Sequence, residues 1–212
     1  MGTVLSVILG IGLAAACGFR VFVPFLIVGI AARTGHLALG PSFAWLSSTP
    51  ALVVLALATL LEIGGYYIPW LDHLLDVIAT PAAVVAGAVM TASVVTGLDP
   101  MTRWILALIA GGGIAATVQA LTVGARKVSL LTTGGVGNPV VATGELLGSI
   151  VLSVVAIALP LLAFAMVAWA MYFGVRFVLR RTAGSISGSG SSVGPGSSAG
   201  PGPGVSPGGL YK

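Results

Sequence analysis

Charge is what this sequence has least of. Of 212 residues only 7% are Asp, Glu, Lys or Arg, against 57% hydrophobic, whereas a soluble domain carries about 25% charged residues to keep its surface wet. Water is therefore excluded as the main solvent. Cysteine occurs once, as Cys17, which rules out an intrachain disulfide framework and leaves the redox compartment open. No Lys or Arg precedes the first apolar region, and apolar sequence runs on past Leu13-Ala14-Ala15-Ala16-Cys17, so an uncleaved first span is expected. Met1-Gly2 with Ser6 fits a loose myristoylation pattern, which is redundant on a chain that already enters the bilayer. A glycine-lysine-serine/threonine phosphate loop, a serine-histidine pair, a metalloprotease motif and a paired-carboxylate motif are all missing, so no catalytic residue is assigned and an enzyme is not expected. The net charge of +4 does not indicate nucleic acid, because Arg176, Arg180 and Arg181 gather at the end of the last apolar run as a cytoplasmic anchor would.

What is there, above all, is long apolar sequence interrupted by single charges. Thr3 to Ala32 contains one charged residue, Arg20, with Pro24 just beyond it. About thirty helical residues span roughly 45 Å against a hydrocarbon core of about 30 Å, so this run must tilt, break or turn back inside the bilayer. Intramembrane arginine costs at least roughly 3 kcal/mol unless paired or hydrated, which makes Arg20 a candidate functional residue.

Four later helices are read from a capping residue followed by proline: Thr49-Pro50, Thr80-Pro81, Asp99-Pro100 and Asn138-Pro139. A cap oxygen satisfies an orphan amide, and proline at the first helical position forfeits no hydrogen bond. These markers predict spans near 50–67, 81–98 and 101–124. A further run from 139 to 179, with Pro160 inside it, reads as two spans or as one span after a broken helix. The fold class is thus all-α, a polytopic integral membrane protein with five or six transmembrane helices and broken or re-entrant segments. Basic residues are distributed so that either count leaves the C-terminus cytoplasmic.

Two connectors carry polar chemistry. In Ile68 to Ile78, Asp72 and Asp76 share one helical face opposite Leu71, Leu74, Leu75 and Ile78. This predicts a helix lying along the membrane surface, with Tyr66, Tyr67 and Trp70 at headgroup depth. Asp72, His73 and Asp76 would need a further protein ligand to hold a metal, so they are read as the wet face of that helix. In the second connector, Arg126 to Pro139, two cations (Arg126, Lys127), two hydroxyls (Thr132, Thr133) and Gly134, Gly135 and Gly137 precede the helix opening at Asn138. A helix N-terminus with adjacent cations is a sound phosphate or carboxylate site, while a loop whose cations face lipid headgroups explains Arg126 and Lys127 equally well.

Glu62 and Glu145 lie within apolar runs, where a carboxylate must meet a cation or take up a proton. Arg20 is the natural partner, and a structural ion pair is expected over proton coupling. Gly111-Gly112-Gly113 and the Gly144/Gly148 pair predict close helix approaches within one protomer; a homo-oligomer stays open. Residues 80–87 and 138–144 echo each other faintly, as duplicated halves would. Residues 1–181 form the expected transmembrane domain. Residues 182–212, rich in Gly, Ser and Pro, are expected to be a disordered tail or linker.

Ala16-Cys17-Gly18-Phe19-Arg20-Val21-Phe22-Val23-Pro24, then Glu62, Ile68-Pro69-Trp70-Leu71-Asp72-His73, and Gly135-Val136-Gly137-Asn138-Pro139 with Glu145 together resemble the bacterial integral-membrane family of domain of unknown function 4126. In the family pattern an acidic-basic pair stands where this chain has Tyr66-Tyr67, so no role of that pair transfers. The resemblance implies a multi-pass inner-membrane protein and supplies no reaction, substrate or cofactor. Membrane lipids are the expected partners. A small transporter or flippase for an anionic or lipid-phosphate ligand is the leading reading, with Arg20, Arg126 and Lys127 on the anion and Glu62 or Glu145 coupling protons. A non-transporting scaffold held together by its ion pairs is the alternative.

Overall fold

Proline and the position of Arg20 decide the first turn of the architecture. The computed structural model describes residues 2–134 and 136–188, apart from the side chains of 69–74, 76, 175 and 177–188. Within it the apolar N-terminal run divides into α1 (Thr3–Phe19) and α2 (Phe22–Arg33). The ring of Pro24 would strike the carbonyl one turn earlier, that of Arg20, so a straight helix cannot pass through this point. Arg20 is accordingly extended, with φ −146° and ψ 133°.

A short 3₁₀ turn (Pro41–Ser47) leads into α3 (Thr49–Gly65), whose cap is Ser48, accepting from the Ala51 amide at 3.4 Å. Next come α4 (Pro69–Val94), α5 (Pro100–Leu106), a π-helical turn (Ala107–Gly112) and α6 (Gly113–Thr133). Then α7 (Asn138–Ala158) is followed after Leu159 by α8 (Pro160–Gly188). The chain divides into one unit over Met1–Gly174 and a second over Val175–Lys212; everything below concerns the first. Residues 189–212, most of the expected tail, lie outside the described residues, and the helix α8 continues past Arg181 to Gly188.

The small-residue helix α1 forms the centre, with Leu9, Leu13, Ala14, Ala15, Ala16 and Cys17 fully buried against α4, α6 and α7. Hydroxyls tie it in place: Thr91 of α4 donates to the Gly10 carbonyl and Ser149 of α7 to the Ala16 carbonyl, each at 3.1 Å. Such bonds add to packing where lipid supplies no hydrophobic drive between helices. A close approach joins α4 to the π-helical turn. A Cβ on Gly87 would come 2.6 Å from the Gly111 carbonyl oxygen, and one on Gly111 would collide with the Thr91 hydroxyl.

Several sequence expectations are corrected here. Pro81 lies inside α4 rather than at a helix start, since nothing in Val77-Ile78-Ala79 stops the helix that begins at Pro69. The segment 68–78 is therefore the opening of a long helix continuous with the membrane-length stretch Val77–Val94, not a separate surface helix. Arg126 to Thr133 is helical, which shrinks the expected loop to the turn around Gly134, at φ 63°. Pro81 in mid-helix and Pro139 in the first turn of α7 do not occupy equivalent places, so the internal echo has no structural counterpart.

Among the described residues, three helical stretches suffice by length and composition to cross a bilayer: Val77–Val94, Pro100–Thr133 and Asn138–Ala158. A fourth is reached if Pro41–Ser47 and Thr49–Gly65, bent by 67°, count together. That is fewer than five or six because α1, α2 and Pro160–Gly174 are apolar but short.

Candidate functional site

The break between α1 and α2 leaves the Val21 and Phe22 amides without intrahelical partners, as every helix start does. Glu62 of α3 supplies both: its Oε1 accepts from Val21 N at 2.7 Å and its Oε2 from Phe22 N at 3.1 Å. This carboxylate caps a helix from a different segment, at the end where the helix dipole favours negative charge. One turn further along α3, on the same face, stands Tyr66.

Two guanidinium groups lie over the Tyr66 ring. The Cζ of Arg20 lies 3.9 Å from the ring centroid and that of Arg126 4.0 Å, well inside the distance at which a ring quadrupole attracts a cation. Arg126 of α6 also meets Glu145 of α7 through two bonds, Nε to Oε1 at 2.9 Å and Nη2 to Oε2. Arg20 Nη2 donates to the Ala142 carbonyl at 2.9 Å and stands 3.8 Å from Glu145 Oε2. Ala142 and Glu145 are neighbours on one face of α7, so that helix offers both acceptors at once.

All five residues are withdrawn from the surface: Arg20 is 2% exposed, Arg126 and Glu145 4%, Tyr66 5% and Glu62 9%. Two arginines and two glutamates give a formally neutral cluster. Its one conspicuous imbalance is at Arg20, whose Nε and Nη1 are buried without a hydrogen-bond partner. Two apolar cavities flank the cluster. One of about 570 Å³ has Glu145 in its wall, and one of about 490 Å³ has Glu62 and Tyr66.

The structure thus gathers Arg20, Arg126, Glu62 and Glu145: Arg20, expected to pair with one of the two buried glutamates, stands 3.8 Å from Glu145, and Arg126, which the sequence had assigned to the connector, binds the same carboxylate. It does not bring the rest of the loop set to them. Lys127, Thr132 and Thr133 are exposed on α6, and the two threonine hydroxyls donate to Val128 and Ser129 carbonyls of their own helix at 2.9 and 2.7 Å. Asn138 is half-buried in the first turn of α7, where Gly137 holds the cap position. The side chains of Trp70, Asp72, His73 and Asp76 lie outside the described residues. Tyr66, which the sequence pattern groups with Tyr67 and Trp70 as a headgroup-level aromatic, is buried beside the two cations, whereas its neighbour Tyr67 is exposed and shares a 2.9 Å hydrogen bond with Thr143. The signal available was the one-turn spacing of Glu62 and Tyr66 on a helix whose other acids are absent.

Gly144 and Gly148 also do something other than expected. A Cβ at Gly144 would meet nothing within 4 Å, and one at Gly148 only the Phe19 ring at 3.9 Å. They face the larger cavity and not a second backbone.

An all-helical, apolar bundle closed around a neutral cluster of buried charges is the architecture of a membrane-embedded protein. The sequence matches the family described as domain of unknown function 4126 over residues 7–180, and the chain belongs to that family. No curated protein and no solved structure matches it.

Proposed function

We propose that this protein is a small carrier or flippase for an anionic, lipid-phosphate class of ligand, without enzymatic activity, and that Arg20 is its anion-binding group. The observation that carries this reading is the pair of buried Arg20 nitrogens with no acceptor. A buried donor left unsatisfied costs about 1–3 kcal/mol, and more when charged, so a fold that keeps two of them on one guanidinium favours an acceptor arriving from outside. The extended link at Arg20 is the natural hinge: movement of α2 there releases the Glu62 cap and opens a path for an anion. Arg126, also over the Tyr66 ring, is the second cation available when Glu145 takes up a proton. In this reading the protein sits in the inner membrane of a bacterium, with five or six passes, α1 and α2 sharing a broken one, and a cytoplasmic C-terminus.

The test is lipid movement in reconstituted vesicles carrying a fluorescent phosphatidylglycerol. Arg20→Gln and Arg20→Lys should lower the rate by about tenfold or more while helical content stays unchanged. A folded Arg20→Gln protein that moves lipid at the wild-type rate overturns the proposal.

The twofold bond between Arg126 and Glu145 favours a second reading, a scaffold in which the charges only hold helices together. It predicts wild-type vesicles no faster than protein-free ones and a constant partner after mild extraction.

A further inference from the structure

We infer that the cavity bounded by α1, α6, α7 and α8 is a binding site for one acyl chain of a bilayer phospholipid. Its volume of about 570 Å³ is that of a ligand pocket rather than a packing flaw. Its wall is hydrocarbon, from Phe19, Val118, Leu152, Met166 and Met171 among others, with Glu145 as the single charged residue. Both oxygens of that carboxylate are engaged by Arg126, and the Thr122 hydroxyl donates within its own helix at 2.9 Å. Water has too few partners to fill such a space. Hydrocarbon is what surrounds it, because α7 and the stretch Pro100–Thr133 are both of membrane-crossing length.

The shape points the same way. Along α7 the wall runs from Val141 to Leu152, about 16 Å at the helical rise, which suits an extended chain. The rim residues Val151 and Met166 are 50% and 42% exposed, so the cavity opens sideways, toward lipid. Gly144 and Gly148 line it although no neighbouring backbone requires either to lack a side chain. Glycine weakens a helix relative to alanine, and what the two glycines provide here is empty volume. A phospholipid is favoured over a free fatty acid because a second carboxylate beside Glu145 would be repelled, whereas a phospholipid leaves its head in the interfacial layer and inserts hydrocarbon alone.

This site uses neither Arg20 nor lipid translocation, so it stands or falls apart from the carrier reading. The experiment uses purified full-length protein in vesicles containing phosphatidylcholine with a diazirine-bearing acyl chain, photolysed and mapped by peptide mass. Adducts should concentrate on Met166 and Met171. The Gly144→Leu/Gly148→Leu double variant should lower them by about tenfold while adducts on the exposed face of α3, at Leu57 and Leu61, persist. Gly144→Leu alone, where a Cβ meets no neighbour, serves if the double variant fails to fold and should lower cavity adducts likewise. Wild-type adducts no denser at the cavity than on α3 would overturn the inference. So would unchanged labelling in a folded Gly144→Leu protein, or labelling by a free diazirine fatty acid with none by the phospholipid.

Discussion

Arg126 and Glu62 show how differently two buried charges are held. Arg126 has a full carboxylate partner, and removing one member of such a pair strands the other, at a cost of roughly 3–5 kcal/mol. Arg126→Ala is therefore expected to destabilise strongly, and Arg126→Ala with Glu145→Ala less than the sum of the single changes. Thermal unfolding in detergent over the double-mutant cycle measures this, and additive losses would contradict the pairing. Glu62 instead serves two backbone amides. Glu62→Gln retains an acceptor for one of them, while Glu62→Ala retains none, so the alanine variant should be the less stable by about 1–3 kcal/mol. Equal melting temperatures for the two would show that the cap carries no weight.

At the scale of elements, the contact between α4 and the π-helical turn is a tight one, with no room for a Cβ on either Gly87 or Gly111. Gly111→Ala forces a methyl group into the Thr91 hydroxyl and the Gly87 carbonyl, both held by packed helices, so a loss of about 1–3 kcal/mol from overpacking is expected. The matching Gly113→Ala, open on every side, should be neutral or stabilising in the same melt. The start of α5 illustrates a cap that the sequence announces correctly. Asp99 accepts from the Met101 and Thr102 amides at 3.1 Å each, and hydrogen bonds from the Thr102 side chain and amide hold its carboxyl below the usual range. A depressed carboxylate stabilises while it is ionised. Its contribution is thus full above the ordinary aspartate value of about 3.9 and fades as pH falls through the lower folded value. Amide exchange at Met101 and Thr102 should stay slow down to that range, and Asp99→Asn should remove the pH dependence.

For the molecule as a whole, burial of α1 makes its single thiol a reporter. Cys17 is fully enclosed at the centre of the bundle, so maleimide labelling should be negligible in folded protein and complete after unfolding. Fast labelling in native vesicles would mean that α1 is not central. The same central position fits the many small residues of α1: it touches α4, α6 and α7 together, and Gly, Ala, Ser and Cys let several neighbours approach, with Leu9 and Leu13 filling the space between them.

Much of this was legible in the chain. A shortage of charge placed the protein in lipid, the length of the run through Arg20 and Pro24 required it to tilt, break or turn back, and the Asp99-Pro100 and Pro160 positions marked real boundaries. These are local effects, settled by composition, proline geometry and caps within a few residues. Thr80-Pro81 carries the same local chemistry and marks no boundary, because a helix already under way from Pro69 passes through it. By contrast Asp99 follows Gly97, at φ 80°, where the chain has already turned.

Sequence alone determined the solvent of this protein and marked Arg20, Glu62 and Glu145 as charges within apolar runs, since both follow from residue type and hydropathy; that Arg126 is buried with them it did not show. Only the tertiary structure decided which charge meets which: that Arg126 takes Glu145, that Glu62 caps α2, that both arginines lie over the Tyr66 ring and that Arg20 keeps two donors without acceptors. Those choices depend on where helices distant along the chain cross, and crossing is set by side-chain volume and backbone approach, which no local pattern of polarity encodes.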